Sequence, residues 1–269
     1  VGSQAVKKIK PTKMIELSDA NGLMRLMTME KGAESPMDKY VRFKNDISLW
    51  YKEMYNFGLT GQEQEVLEPY FLSSYGVPPS QEQLMKMLMD KNICGFTLSE
   101  ANAARKIVGK KQMDKIPALR EKILAQAKSK NLGNYVWKFG VGPQMGYSFS
   151  MIHALAYSFI AFQCAYLAVK FNPIYWNTAC LIINSGTIEE DTIEDDEEVK
   201  ENGNDYAKTA KALGEILSRG INISLVNINK SSYSFRPDVE KNRILFALKA
   251  LSGVNRETID KIIAKRPYT

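Results

Sequence analysis

The stretch Met151-Ile-His-Ala-Leu-Ala-Tyr-Ser-Phe-Ile160 opens an apolar segment that continues to Val169. Its nineteen residues carry no formal charge, which is close to the roughly 20 residues that a membrane-spanning helix requires. His153, Ser158 and Gln163 interrupt the segment, however, and no basic residue stands directly before it. The pattern therefore predicts a buried helix of a soluble, cytoplasmic protein without a membrane partner. A membrane-associated helical protein is the alternative.

Helical patterns also fill most of the chain up to about residue 218. Thr97-Leu-Ser-Glu100 matches a capping box, which predicts a helix from Leu98 that is interrupted at Gly109. Elsewhere apolar residues recur at steps of three and four. These steps predict helices over 16–29, 39–56, 81–91, 115–130, 150–171, 174–183, 207–218 and 254–265. A glycine-containing loop is expected at 140–146.

The pattern changes after residue 218. Residues 221–228 alternate between apolar and polar side chains, as a half-buried strand does, and 234–235 and 244–248 are further short β candidates. The fold class is therefore predicted to be mainly α, with a small mixed α+β module at the end.

The net charge hides a marked asymmetry. The chain has 36 Lys and Arg against 30 Asp and Glu, but ten of the acidic residues lie between Thr187 and Asp205. This segment is predicted to form a mobile loop over 185–205, and the rest of the chain is strongly basic. An excess of basic residues favours binding to polyanions, of which DNA and RNA are the first candidates. Three widely spaced cysteines show neither a zinc spacing nor a disulfide framework.

Two clusters of side chains are candidates for binding chemistry. Four cations surround Gly109, and an imidazole and a phenol lie one helical turn apart on one helix face. Together they suit a site that binds a triphosphate and lets a base and sugar rest against a ring. An exposed basic surface and a hydrogen-bonded core histidine are the alternatives. The candidate residues are Arg105, Lys106, Lys110, Lys111, His153 and Tyr157.

Several blocks resemble one family in the same order along the chain. Tyr75-Gly76 with Gln81-Glu-Gln-Leu-Met85 is similar to a "YGI…YQEQVM" segment, and 95–111 is similar to "GYTLGGAD…RR..GKK". The family is that of the bacterial replicative C-family DNA polymerases, the DNA polymerase III alpha subunits. Further blocks that resemble it lie at 146–157, 166–173, 220–235 and 247–254. The resemblance implies a helical fingers domain followed by the small module with a helix-hairpin-helix-like end.

The resemblance also implies a reaction and its partners. The expected chemistry is template-directed nucleotidyl transfer from dNTPs to primer-template DNA with Mg²⁺, in contact with a palm domain or other polymerase segment and with a sliding clamp as a further candidate. By similarity, Asp38 is a catalytic and metal-binding carboxylate, while the cations and ring pair contact the incoming nucleotide. The candidate DNA contacts are Lys249, Gly253 and Asn255, with a simple helix-turn-helix corner as the alternative.

Departures from the family suggest a divergent member of phage or prophage type. Lys106 replaces an arginine, Ser80 a tyrosine and Asn255 a glycine. No Asp-x-Asp pair stands in β-like sequence, so the main palm carboxylates are expected outside this chain. It is therefore predicted to be a fragment or split subunit that does not extend a primer alone.

Three regions are expected on this basis. They are the end of the palm or palm-to-fingers transition over 1–60, the fingers over 61–218 and the mixed module over 219–269. A non-catalytic nucleic-acid-binding protein that keeps the fingers fold is the second hypothesis.

Overall fold

A computed structural model describes residues 2–28, 32–110, 112–187 and 205–269. The chain forms two compact units, Val1–Ala161 and Phe162–Thr269, and the mainly helical fold class is confirmed. The boundary between the units lies inside one long helix. The predicted division into 1–60, 61–218 and 219–269 rests on the family resemblance and on the change of pattern after residue 218, not on compactness, and it stays a prediction.

The described residues of the first unit are helical apart from turns and one isolated β-bridge between Ser80 and Phe149. A π-helical turn at Val136–Val141 and two short 3₁₀ turns join its later helices. The helices are α1 (Gly2–Ile9), α2 (Met14–Leu23), α3 (Pro36–Asn45), α4 (Ser48–Asn56), α5 (Gly61–Phe71), α6 (Gln81–Met89), α7 (Leu98–Gly109), α8 (Ile116–Gln126) and α9 (Lys130–Tyr135).

Aromatic side chains form the centre of this unit. Trp50 is fully buried, donates a hydrogen bond from Nε1 to the Tyr135 hydroxyl at 3.0 Å and stacks on Phe71 with ring centroids 6.0 Å apart. Gly76 adopts φ +72°, and a Cβ there would lie 2.6 Å from Trp50 Cδ1. The glycine after Tyr75 is therefore required both by its backbone conformation and by the packing of the core.

One predicted helix of this unit is divided in two. The pattern predicts a single helix over 39–56, but Asp46 is extended and separates α3 from α4. Its carboxylate accepts hydrogen bonds from the backbone N–H and the hydroxyl of Ser48, at 3.0 and 2.6 Å. A short acidic side chain that bonds the backbone two residues on competes with the helix, so the break follows from the Asp46-Ile-Ser48 sequence.

Helix α10 (Met151–Lys170) carries the apolar segment, and its predicted bounds are confirmed within one residue. Only Ala154 and Ser158 of this helix are buried, so the expectation of a buried helix is wrong within the described chain. It is the one described helix long and apolar enough to cross a bilayer, with 20 residues and a mean hydropathy of 1.5. Apolar composition indicates that side chains avoid water, but it does not determine which surface covers them.

The second unit combines helices with a small sheet. After α10 come α11 (Pro173–Ser185), α12 (Tyr206–Ser218) and, at the end, α13 (Arg256–Ala264). Strands β1 (Asn222–Ile223), β2 (Arg236–Asp238) and β3 (Arg243–Leu245) lie in the order β1-β3-β2, with β1 parallel and β2 antiparallel to β3. The core of this unit consists of apolar residues from α11, α12, β3 and the segments that flank the strands: Ile174, Leu181, Ile216, Ile221, Phe235, Ile244, Ala247 and Ala250.

The predicted strand over 221–228 is mostly irregular. Only Asn222 and Ile223 pair with β3. Further along, the chain turns at Asn227, whose carbonyl accepts from the backbone N–H groups of Lys230 and Ser231, at 3.1 and 2.8 Å. Most of the predicted acidic loop, 188–204, lies outside the described residues.

Candidate nucleotide and DNA site

Helix α7 begins as its capping box predicts. The Thr97 hydroxyl accepts from the Glu100 backbone N–H at 3.3 Å, and the Glu100 carboxylate accepts from the Thr97 backbone N–H at 2.8 Å. Glu100 also pairs with Lys122 of α8 at 2.7 Å. This ion pair and the cap bonds lower the pKa of Glu100 to about 2. Hydrogen bonds to backbone N–H groups and a side-chain ion pair therefore stabilise the start of α7, the helix that carries the predicted cations.

Arg105 is the most firmly held of these cations. Its guanidinium donates to Asn102 Oδ1 at 2.9 and 3.1 Å and to Gln81 Oε1 at 2.8 Å. Gln81 in turn donates to the Ser148 carbonyl, and its own backbone N–H donates to the Phe149 carbonyl at 2.8 Å. Arg105 is thus connected, through one glutamine at the start of α6, to the loop that leads into α10.

Lys106 and Lys110 are exposed and make no ion pair with the described residues. Lys110 caps the end of α7, where its backbone N–H donates to the Lys106 carbonyl at 3.1 Å. Their ammonium groups are therefore available to an anion. The predicted residue Lys111 lies outside the described part of the chain. We call the described cations Arg105, Lys106 and Lys110 the α7 cations.

The beginning of α10 is held by the next residue of α6. Glu82 accepts from the Ser150 hydroxyl and from the Met151 backbone N–H, both at 2.8 Å. Such a carboxylate satisfies an N–H group that the first turn of a helix leaves without a partner. Two adjacent residues of α6 therefore hold two other elements: Gln81 holds Arg105 of α7, and Glu82 holds the start of α10.

His153 and Tyr157 lie on the first turns of α10 and are exposed. Neither side chain hydrogen-bonds to another described residue. The opposite side of the helix is anchored at Ser158, which is fully buried and accepts from Asn21 Nδ2 at 3.1 Å. The alternative of a hydrogen-bonded core histidine does not match this environment. Convergence of the ring pair and the α7 cations on one nucleotide stays a prediction.

Arg25 belongs to the same surroundings and was not among the predicted residues. Its guanidinium carbon lies 5.4 Å from the ring centroid of Tyr147, which lies shortly before the start of α10 at Met151. The residue is exposed and follows α2 directly. A single arginine after a short helix has no pattern of its own, so only the fold brings it beside the loop that Gln81 connects to Arg105.

Asp38 lies in the first turn of α3 and is engaged by two neighbours. Its carboxylate accepts from the Ser35 hydroxyl at 2.5 Å and pairs with Lys8 of α1. The hydrogen bond and charge of Lys8 and the hydroxyl of Ser35 lower the pKa of Asp38. No group of three metal-ligating side chains comes together in the ranges that the structure describes. The catalytic and metal roles of Asp38 stay predictions.

A cavity of about 340 Å³ lies beneath the first turn of α10, next to Met151 and Ala154. Asp19 lines it and is 6 % exposed, with Oδ2 accepting from the Tyr40 hydroxyl at 2.9 Å. Burial raises the pKa of Asp19 to about 7. The Tyr40 hydrogen bond opposes this rise, and the nearby charge of Glu16 reinforces it.

Glu16 is a buried carboxylate with the opposite shift. Burial by itself would raise its pKa, but hydrogen bonds from Lys44, Thr12 and Tyr75, together with the charge of Lys44, lower the pKa to about 2.

The predicted DNA contacts lie before and at the start of α13. Gly253 adopts φ +76° in open space, so its backbone conformation, not crowding, favours glycine. Asn255 caps α13 by accepting from the Thr258 backbone N–H at 2.9 Å. The Lys249 backbone N–H donates to the Tyr233 carbonyl at 3.2 Å. Asparagine at the position of the family's glycine thus has a local structural reason, and contact with DNA stays a prediction.

Comparison with known sequences gives two family matches. Residues 1–131 match the bacterial DNA polymerase III alpha subunit finger domain, and residues 220–269 match a helix-hairpin-helix motif. In the described structure only the second helix of that motif, α13, is a regular helix. The segment before it forms turns, with the Leu251 backbone N–H donating to the Leu248 carbonyl at 3.1 Å.

Similar proteins are DNA polymerases. A probable DNA polymerase of Bacillus subtilis and a DNA-directed DNA polymerase of Bacillus phage SPbeta are each 43% identical over the whole chain. The DNA polymerase III alpha subunit of Thermus aquaticus is 27% identical over 76% of the chain. The chain spans 21% of the length of the first two and 15% of the third. These matches confirm the resemblance to the bacterial DNA polymerase III alpha subunits, with their finger domain matched over residues 1–131, and one of the 43% identical relatives is a phage polymerase.

Proposed function

We propose that this chain is the fingers segment of a DNA-directed DNA polymerase and binds the triphosphate of an incoming dNTP beside primer-template DNA. The observation that carries the proposal is the pair of links from α6. Gln81 holds Arg105, while Glu82 holds the first turn of α10, which carries His153 and Tyr157. A cationic helix end and an exposed ring pair are thereby attached to one short element.

Nucleotidyl transfer requires cations and a nucleotide-binding surface of this kind. Nucleotidyl transfer leaves a pyrophosphate, so fixed cations near the β- and γ-phosphates stabilise the charge that develops there. Arg105 offers a planar guanidinium held by Asn102 and Gln81, and Lys110 offers a mobile point charge. The exposed ring of Tyr157 offers an apolar face to a sugar or base. These residues bind and orient a substrate, and none of them removes a proton.

We assign the main carboxylates that bind Mg²⁺ to other segments of the polymerase, because no Asp-x-Asp pair stands in β-like sequence of this chain. The chain alone is therefore proposed not to extend a primer. A palm or other polymerase segment is the proposed partner, and a sliding clamp is a further one. In a complete polymerase, Mg²⁺ would supply the electrostatic activation of the reacting phosphate.

The test is a titration of the chain with a fluorescent dNTP, in the presence and absence of primer-template. Lys110→Ala removes a cation with no described ion-pair partner, so the fold should persist. We expect about tenfold weaker dNTP binding, the effect of one lost charge-assisted hydrogen bond. Lys91→Ala, an exposed lysine directly after α6, is the matched control. Unchanged affinity in both Lys110→Ala and Arg105→Ala would refute the proposal.

A non-catalytic nucleic-acid-binding protein is the second candidate. The match of 220–269 to a helix-hairpin-helix motif favours it, because such motifs suit sequence-independent contacts with phosphates. DNA binding that is insensitive to dNTPs and unaffected by Lys110→Ala, but weakened by Gly253→Ala, would support this candidate over the first.

A further inference from the structure

The end of α10 and the start of α11 expose large apolar side chains within fourteen residues. Val169 is 86 % exposed, and the others are close to half exposed. Lys170 is the only charged residue among them. Asn172 forms the bend between the helices, where its side chain accepts from the Ile174 backbone N–H at 3.0 Å. We call this surface the apolar corner: Phe162, Tyr166, Leu167, Val169, Phe171 and Tyr175.

Water is an unfavourable environment for this surface. Burial of a large apolar side chain is favourable, and soluble monomers rarely leave several of them exposed side by side. Phe162 and Tyr166 already stack on each other, with ring centroids 6.4 Å apart, yet both stay half exposed. A helix that is apolar on all sides is typical of the interior of a larger protein or of a membrane span.

We propose that the apolar corner docks against an apolar surface of another segment of the same polymerase polypeptide, outside these 269 residues. The inference rests on the proposed function. The proposal is also supported by the length of the relatives. The two 43% identical polymerases match the whole of this chain, and the matched part makes up only 21% of each polymerase. Polypeptide that can cover the corner is therefore present in those relatives.

Other occupants fit the surface less well. A nucleic acid would need cations to bind its phosphates and aromatic rings to stack on its bases. Leu167 and Val169 are aliphatic, however, and Lys170 is the only cation in the sequence 162–175. A bilayer would have to accept Gln163 in the middle of the helix. A protein surface accepts aromatic and aliphatic side chains together and leaves Lys170 at its rim.

The experiment uses the phage SPbeta polymerase with its matching span replaced by residues 1–269. Val169→Glu is the test variant, because the side chain is so exposed that the isolated chain should keep its thermal midpoint. Leu225→Glu, at a residue 89 % exposed in the same unit, is the matched control. We expect Val169→Glu to reduce primer extension by about tenfold or more, since docking would bury an unpaired charge. Leu225→Glu should have no effect.

Three results would overturn the proposal. Val169→Glu and Leu225→Glu could behave alike in the exchanged polymerase. The isolated chain could be a dimer in light scattering that Val169→Glu converts to a monomer, in which case a second copy is the occupant. Vesicles of phosphatidylcholine and phosphatidylglycerol could bind the chain but not Val169→Glu, in which case the occupant is a membrane. The proposed function fails separately, through unchanged dNTP affinity in Lys110→Ala and Arg105→Ala.

Discussion

The two compact units differ in where they keep their charges. In the first unit, Glu16 is 1 % and Asp19 6 % exposed, and Lys39 pairs with Glu53 at 2.5 Å in a largely buried position. In the described part of the second unit, the buried polar side chains are uncharged: Asn177, Thr178, Ser185, Thr187, Thr209, Ser231 and Ser234. Its ion pairs, such as Lys261–Glu257, lie mostly at the surface.

This difference indicates two ways of fixing a structure. Buried charges must be matched by specific partners, so the first unit has an exact arrangement around Glu16, whose carboxylate accepts from Lys44, Thr12 and Tyr75. Hydroxyl groups need only a nearby carbonyl, as when Thr178 donates to the Ile174 carbonyl at 2.7 Å. The second unit is therefore expected to tolerate charge substitutions and pH changes that the first does not.

The largest expected effect comes from removing a partner of a buried charge. Lys44→Met leaves Glu16 without its cation and should cost about 3–4 kcal/mol of unfolding free energy. Lys261→Met breaks an exposed pair in the second unit and should cost less than about 1 kcal/mol. Urea unfolding at neutral pH measures both. Similar losses from the two variants would remove the contrast between the units.

A smaller effect is expected from Asp19, and it depends on pH. Because burial raises the pKa of Asp19 to about 7, the folded protein holds this proton more tightly than the unfolded chain does. Stability from this group is complete below the ordinary aspartate pKa near 4 and is lost as the pH rises towards 7. Asp19→Asn should therefore be about 2 kcal/mol more stable than the unsubstituted chain at pH 8, with little difference at pH 4.

Thermal or urea unfolding across this pH range checks the Asp19 prediction. Asp238 provides a control carboxylate in the second unit, since the Arg243 hydrogen bond lowers its pKa. Asp238→Asn should lose stability at pH 8 rather than gain it. A pH-independent difference between Asp19→Asn and the unsubstituted chain would show that the effect comes from packing.

The smallest effect concerns the cap of α13. Asn255→Ala removes the hydrogen bond to the Thr258 backbone N–H and should cost about 1 kcal/mol. Asn255→Ser keeps a cap and should restore the stability. Measuring DNA affinity in both variants separates the two roles of this residue. If Asn255→Ser is stable but binds DNA more weakly, the amide contacts DNA in addition to capping the helix.

Sequence patterns predicted the elements whose signals are local. The capping box at Thr97, the bounds of α10 and the helices α11, α12 and α13 agree with the structure within about three residues. Helix α5 was missed although Thr60 and Glu63 form a capping box in the structure, because its sequence is largely polar and contains Pro69. The break at Asp46 was also missed, since apolar periodicity continues across it while the side chain bonds the backbone.

The candidate site was predicted in its residue types but not in its connections. The cations around Gly109 and the ring pair on α10 are recognisable because the members of each group lie within a few residues of one another in the sequence. Gln81, Glu82 and Arg25 have no such signal, and only folding brings them to Arg105, Met151 and Tyr147.

By itself the sequence determined the helical class and the resemblance to the polymerases, because these depend on local periodicity and on residue types in order. It also predicted which cations and rings would bind a nucleotide. The tertiary structure alone decided that the start of α6 holds both α7 and α10, that Asp19 is buried beneath α10, and that most of α10 remains exposed. Burial and long-range hydrogen bonds depend on which elements meet, and the sequence of one element does not specify its neighbours.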